Sequence, residues 1–225
     1  MKFDRASRWV AAYQRLGALW LHDSNPKRPH ALLTSGKHSS GFFNSGLVME
    51  DPSLIIDASV DLAGAVGEAM NTSPLNYVIG PALGAIVLAH CLAKALDGFT
   101  DRPCKASFTE KVVLASGTVG MELKRTQLKI AVDEVLVVED VLTTGGSIEG
   151  TIEAVSQAGG HVAPVVAVLV NRSGLTEVRG GRKIVALIDQ PMPMWSPEEC
   201  PLCKKGSEAI RPKGADNWAR LNASY

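Results

Sequence analysis

The stretch Val135-Leu-Val-Val-Glu-Asp-Val-Leu-Thr-Thr-Gly-Gly-Ser147 limits the possible folds of this chain more than any other. Four apolar residues, three of them valine, read as a buried strand. Two adjacent carboxylates, Glu139 and Asp140, follow. Burying charge is costly, so an acidic pair ends such a strand only where something uses it. Thr143, Thr144, Gly145, Gly146 and Ser147 come next. A helical pattern then runs from Ser147 to about Gln157 and stops at Gly159-Gly160. Strand, loop and helix in that order form a βα unit, and open α/β sheets bind ligands beyond the carboxyl ends of their strands. Glycines let a ligand approach the backbone, while free amides, the helix dipole and hydroxyls attract a phosphate. The loop contains no lysine, so it is not GxxxxGK[ST], and its glycine spacing does not fit GxGxxG. An ordinary turn with Ser147 as N-cap explains Gly-Gly-Ser alone. It does not explain two acids placed directly after four apolar residues.

The flanking sequence supplies more such units. Asp51-Pro52 reads as an N-cap and first helical residue, with a helix to about Met70. Tyr77-Val78-Ile79 reads as a buried strand, Gly80–Gly84 as a loop, and Ala85 to about Leu96 as a helix. Lys105–Thr109, Val162–Val170 and Ile184–Ile188 complete the strand set. Alternation of this kind predicts an α/β fold with a mainly parallel central sheet flanked by helices. Before it, Arg5 to about Leu21 reads as an amphipathic helix. Ala31–Leu33 and Phe42–Asn44 read as short strands around a turn-rich Thr34–Gly41. From Pro191 the periodicity dissolves. The expected division is a small N-terminal helix and hairpin over 1–50, a core over 51–190, and a tail over 191–225.

Lysine plus arginine number 23 and aspartate plus glutamate 23, which argues against a nucleic-acid binder acting through bulk positive charge. Met1–Ala11 has no apolar signal core, and no run reaches the ~18–20 apolar residues of a membrane helix. A cytoplasmic protein without nucleic-acid or membrane partners is expected. Four cysteines make no disulfide scaffold. Cys200-Pro-Leu-Cys203 offers two of the four ligands of a structural zinc. Cys91 and Cys104 are distant in sequence, so the pair reads either as half a metal site, completed by a second copy, or as tail packing or a surface thiol pair. The balanced total also hides segregation. Lys105–Lys129 carries five cations against two acids, whereas Ala131–Ala158 carries six acids and no lysine or arginine. Glu110 to about Leu128 is long for a connection inside a domain, as lids often are. A mobile basic lid beside an acidic site, or a solvated hairpin, both fit.

The Val135–Ser147 string resembles the phosphoribosyl-diphosphate signature of the type I phosphoribosyltransferases. The resemblance implies that Glu139 and Asp140 meet the ribose hydroxyls, directly or through Mg²⁺, and that Thr143, Thr144, Gly145, Gly146 and Ser147 hold the 5′-phosphate. Further segments are similar to the orotate-specific members. Leu33–Gly46 resembles their N-terminal hairpin, placing Lys37 and His38 near the pyrophosphate or base and Phe42 or Phe43 on the pyrimidine ring. Either phenylalanine also fits a plain core strand. Ile79–Ala85 resembles their pyrophosphate loop, which implies binding by Pro81, Ala82, Leu83 and Gly84. Val168–Gly174 resembles the strand end that sets an arginine, here Arg172, beside the base. A tail with Cys200 and Cys203 resembles that of a bacterial subset.

What the resemblance implies is transfer of a phosphoribosyl group from 5-phosphoribosyl 1-diphosphate to orotate, with Mg²⁺, in a homodimer whose loops complete each other's sites. The transition state of such a transfer is oxocarbenium-like, and the leaving diphosphate gathers negative charge. Lys111, Lys124 and Arg125 are the loop cations to which the catalytic role falls. The family loop often carries a histidine, and here none lies between Cys91 and Gly160. Transfer to another base, or a nucleotide-sensing regulator of the same fold, are the competing expectations.

Overall fold

A computed structural model describes residues 4–113, 117–129 and 132–225. Residues 114–116 of the expected lid, 130–131 after it, and the first three residues of the chain lie outside the described residues. In chain order the elements are α1 (Arg5–Arg15), β1 (Leu19–Leu21), β2 (His30–Leu32), β3 (His38–Ser39), β4 (Gly41–Phe43), α2 (Gly46–Met49) and α3 (Pro52–Ala69). Then come β5 (Leu75–Pro81), α4 (Ile86–Leu96), β6 (Lys105–Val113), β7 (Val119–Glu122), β8 (Glu134–Leu142), α5 (Gly146–Gln157) and β9 (His161–Asn171). The chain closes with β10 (Glu177–Val178), β11 (Arg182–Asp189), β12 (Met194–Trp195), β13 (Ala209–Ile210) and α6 (Asn217–Asn222). Two compact units result, one of residues 1–9 and 45–190, the other of 10–44 and 191–225.

The larger unit holds a seven-stranded sheet in the order β10-β11-β9-β8-β5-β6-β7. Its five middle strands are parallel, and β10 and β7 pair antiparallel at the two edges. A parallel sheet needs cover on both faces, which explains the continuous apolar runs of β8 and β9. On one face Val135, Val137, Val166 and Val168 pack with Ile148, Ile152 and Val155 of α5. Asp51 accepts hydrogen bonds from the amides of Ser53 (2.9 Å) and Leu54 (3.2 Å), and Pro52 starts α3 as its fixed φ favours. No helix among the described residues is long and apolar enough to cross a membrane.

In the smaller unit two sequence expectations fail. The N-terminal helix ends at Arg15 rather than near Leu21. Gly17 adopts φ 62°, and the Ala18 amide donates back to the Tyr13 carbonyl at 2.7 Å. This left-handed closure releases Leu19–Leu21 as a strand, and periodicity could not see it because Trp20 is apolar in either geometry. The stretch from Pro191 is not a structureless tail. β12 pairs antiparallel with β3, and β13 pairs parallel with β2, giving the sheet β12-β3-β2-β13. Strands of two residues carry no readable alternation. Trp20, Ala31, Leu33, Ile210 and Leu221 form the core of this unit.

Candidate active site

β8 alternates its side chains between two faces, so adjacent acids must part. Val135, Val137 and Glu139 look toward α5; Leu136, Val138 and Asp140 look the other way. The strand runs on to Leu142, two residues past the acids, because Val141 and Leu142 still pair with Val170 and Asn171. Glu139 is buried at 8% exposure. Burial first, then the adjacent Asp140 charge, push its carboxyl up to about 8, while the Ser147 hydroxyl and the Lys111 charge pull it down. A free protein of this kind holds a proton on Glu139 at neutral pH. A cation, or hydroxyls donating to the carboxylate, would release it.

The stability consequence has a definite sign. Folding binds a proton here that the unfolded chain, with an ordinary value of 4.5, releases. The contribution to stability is full below that value and is lost as pH rises through about 8. Glu139→Gln should remove this slope, so the variant should gain melting temperature relative to the parent between about pH 5 and pH 9. Parallel melting curves for the two proteins across that range would refute the raised carboxyl.

Asp140 faces the loop after β5. A Cβ placed on Gly84 would stand 2.9 Å from Asp140 Oδ1, so glycine is what lets this loop approach the carboxylate. Gly80 serves the strand end similarly: a Cβ there would meet Ala85 Cβ at 2.6 Å and the Val138 carbonyl at 3.0 Å. The Ala82 amide donates to the Thr109 carbonyl at 2.7 Å, and the Ala82–Leu83 peptide is cis. Pro81 is buried, Ala82 and Gly84 are half-buried, and Leu83 is exposed at the tip. Thr143 to Ser147 bend from β8 into α5. Gly145 takes φ 86°, in the left-handed region open to glycine. Thr144 and Gly146 are exposed, Thr143 and Ser147 half-buried. First-turn amides at the amino end of a twelve-residue helix form a ready anion cradle.

The expected lid is a hairpin of β6 and β7, paired from Glu110↔Glu122 to Val113↔Val119. Met121 rests on α5 at Gly150, where a Cβ would come within 2.6 Å of Met121 Cγ. Thr109 of β6 and Thr151 of α5 share a buried hydroxyl hydrogen bond of 2.8 Å. Sequence reading missed this seat, although a glycine inside a helical pattern is a recognisable signal of close packing. Lys111 is exposed and lies near enough to act on Glu139. Lys124 pairs with Glu122 at 3.9 Å, and Arg125 with Glu110 at 3.3 Å, with its guanidinium 5.8 Å from the Phe108 ring centre. Exposed pairs of this kind contribute about 0–1 kcal/mol, so both cations can turn to an anionic ligand at little cost.

Arg172 follows β9, its amide donating to the Leu142 carbonyl at 3.0 Å. The side chain is 1% exposed, and burial lowers it to about 10. It is therefore no surface cation. In the smaller unit, Lys37 is exposed in the turn between β2 and β3. His38 is buried, with its ring against His30 and Cys203, which does not suit the substrate-facing role expected of it. Phe43 is a core ring, edge-on to Tyr13 at 5.3 Å. Phe42 is half-buried against Trp218 at 5.9 Å.

Comparison with known proteins fixes the family. Residues 54–198 match the family described as "Phosphoribosyl transferase domain". The chain belongs to the phosphoribosyltransferase family. The match runs from within α3 through β12 and so contains the acidic pair, both loops and the hairpin. Relatives within this family include the orotate phosphoribosyltransferase of Heliobacterium modesticaldum, 37% identical, covering 81% of this chain and 88% of that one. That of Pelotomaculum thermopropionicum is 35% identical over 90% and 94%. The crystal structure of orotate phosphoribosyltransferase from Aeropyrum pernix superposes with a TM-score of 0.58 at 27% identity, covering 80% of this phosphoribosyltransferase and 92% of that chain.

Proposed function

We propose that this phosphoribosyltransferase moves the 5-phosphoribosyl group of 5-phosphoribosyl 1-diphosphate onto a ring nitrogen of orotate. The products are orotidine 5′-phosphate and diphosphate, a step of pyrimidine nucleotide synthesis. The observation that carries this reading is the agreement over most of the chain with relatives named for that activity, 35% identical over 90% of this chain in one case.

The residues suit the chemistry. Amides and hydroxyls of Thr143–Ser147 would hold the 5′-phosphate at the start of α5. Glu139 and Asp140 would meet the ribose hydroxyls, and their negative charge favours an oxocarbenium-like ribose. The loop Pro81–Gly84 would face the diphosphate, and Lys111, with Lys124 or Arg125, would offset its growing charge. Arg172 is the cation assigned to the orotate carboxylate, which a planar guanidinium can grip with two hydrogen bonds.

Mg²⁺ is the proposed cofactor. Its fit rests on the donor set: two adjacent hard carboxylates near the end of β8, of which Glu139 is pushed up by burial and by the Asp140 charge, so that a cation there would favour its ionised form. Two carboxylates with substrate oxygens and waters are the usual Mg²⁺ complement. When bound, the ion would neutralise diphosphate charge. A homodimer with shared sites is the proposed assembly, on family resemblance.

The test is acceptor choice. Purified protein given the donor, Mg²⁺ and one base at a time should release diphosphate with orotate. Turnover with adenine or hypoxanthine and none with orotate would overturn the acceptor assignment. Silence with every base would favour a nucleotide-sensing role.

A further inference from the structure

We propose that His30, His38, Cys200 and Cys203 bind a structural Zn²⁺ ion within the smaller unit. Each side chain turns one ligand atom inward, and the four atoms lie within 4.8 Å of one another. His30 Nε2 stands 3.0 Å from His38 Nδ1 and 3.5 Å from both the Cys200 and Cys203 sulfurs; Cys203 Sγ lies 3.2 Å from His38 Nδ1. Nitrogen and sulfur ligands at about 2.0–2.3 Å from a tetrahedral zinc lie roughly 3.3–3.8 Å from each other. These four separations are within a few tenths of an ångström of that arrangement. Among the described residues, no other group of three or more metal-ligating side chains converges in this way.

A hydrogen-bond chain orients the first ligand. Ser207 Oγ lies 2.6 Å from the Arg28 carbonyl, which can only accept, so the single hydroxyl hydrogen is committed there. Ser207 Oγ must then accept from His30 Nδ1 at 2.8 Å. The imidazole proton is held on Nδ1, and the Nε2 lone pair points at the cluster. Metal-bound histidines are held by outer partners in this fashion. The Cys200–Cys203 turn is built for the purpose too: the Lys204 amide donates to the Cys200 carbonyl, the Gly206 amide to the Cys203 carbonyl, and Gly206 takes φ 89°. This curls the backbone so that both sulfurs face the histidines.

The donor set selects the ion. Two imidazoles and two thiols suit zinc, and four protein ligands with no open position make a structural site rather than a catalytic one. Its place in the chain gives it work. Cys200 and His30 are 170 residues apart, and the ion would clip β2 and β3 to the C-terminal segment. The unit they share has a small core, the circumstance in which a metal adds most.

The full chain, purified without a histidine tag under reducing conditions, should carry about one zinc per molecule by elemental analysis. Substitution by Co²⁺ should give a tetrahedral visible spectrum with sulfur-to-cobalt charge transfer. Ser207→Ala should fold and should lower zinc affinity about 10–100-fold in chelator competition. Cys200→Ser/Cys203→Ser should lose the ion. A chain that takes up no zinc on reconstitution, a Cys200–Cys203 disulfide under reducing conditions, or zinc retained in full by the double variant would each overturn the proposal. Should the double variant fail to fold, the cobalt spectrum of the parent decides: octahedral bands without charge transfer overturn the assignment, tetrahedral bands with it support it. None of these readings depends on phosphoribosyl transfer.

Discussion

Asp140→Asn should lower kcat/KM for 5-phosphoribosyl 1-diphosphate by about two to three orders of magnitude, the usual cost of removing one group that stabilises transition-state charge. The substitution keeps shape and removes charge. Asp140 is half-buried, on the face of β8 turned toward the Gly84 loop, so the amide fits where the carboxylate stood. Folding should be unharmed, and melting should shift little. The loss should appear with donor varied at saturating orotate, and Mg²⁺ dependence should weaken with it. Unchanged donor kinetics would remove Asp140 from the site. The same measurement on Glu139→Gln separates the two acids. They look to opposite faces of one strand, and burial pushes the Glu139 carboxyl up to about 8.

Gly84→Ala should cost about 10- to 100-fold in turnover while leaving stability nearly unchanged. The added methyl would stand 2.9 Å from Asp140 Oδ1 and 3.3 Å from its Cγ, closer than atoms tolerate. The three nearest atoms all belong to the Asp140 carboxylate. The carboxylate or the loop must therefore give by a few tenths of an ångström, which costs little in folding but misplaces a charged group against the reacting sugar. Kinetics and a thermal melt on the same preparation check both halves. A destabilised variant with parental kinetics would refute the close approach of loop and carboxylate as the reason for glycine.

The parts of this molecule that the sequence makes legible are those decided by near neighbours. Val135–Val138, the acid pair, the glycines and α5 follow each other along the chain, so period, charge and turn chemistry all speak within one βα unit. Asp51 and Pro52 announce α3 for the same reason. What escapes is decided at long range. Gly84 answers to Asp140, and Gly150 to Met121, and neither demand is visible beside the glycine itself. Met194–Trp195 and Ala209–Ile210 become strands only because β3 and β2 accept them as partners. Cys200 and Cys203 read as half of something because the other half, His30 and His38, lies at the opposite end of the chain. The expected lid appears as a hairpin whose seat on α5 is contributed by Gly150 and Thr151, residues after β8 rather than within the lid.

The interleaving of residues 10–44 with 191–225 has a consequence for how the protein is made. Residues 45–190 can assemble their sheet while synthesis continues, since domains form as units and early segments come first. Val10–Asn44 cannot. The earlier-made hairpin must wait, exposed, until the segment after Pro191 leaves the ribosome and supplies β12, β13 and Leu221. A nascent chain stalled before Pro191 would carry a finished β8–α5 loop and an unfinished partner unit. Chaperone dependence and premature termination should therefore strike the smaller unit first.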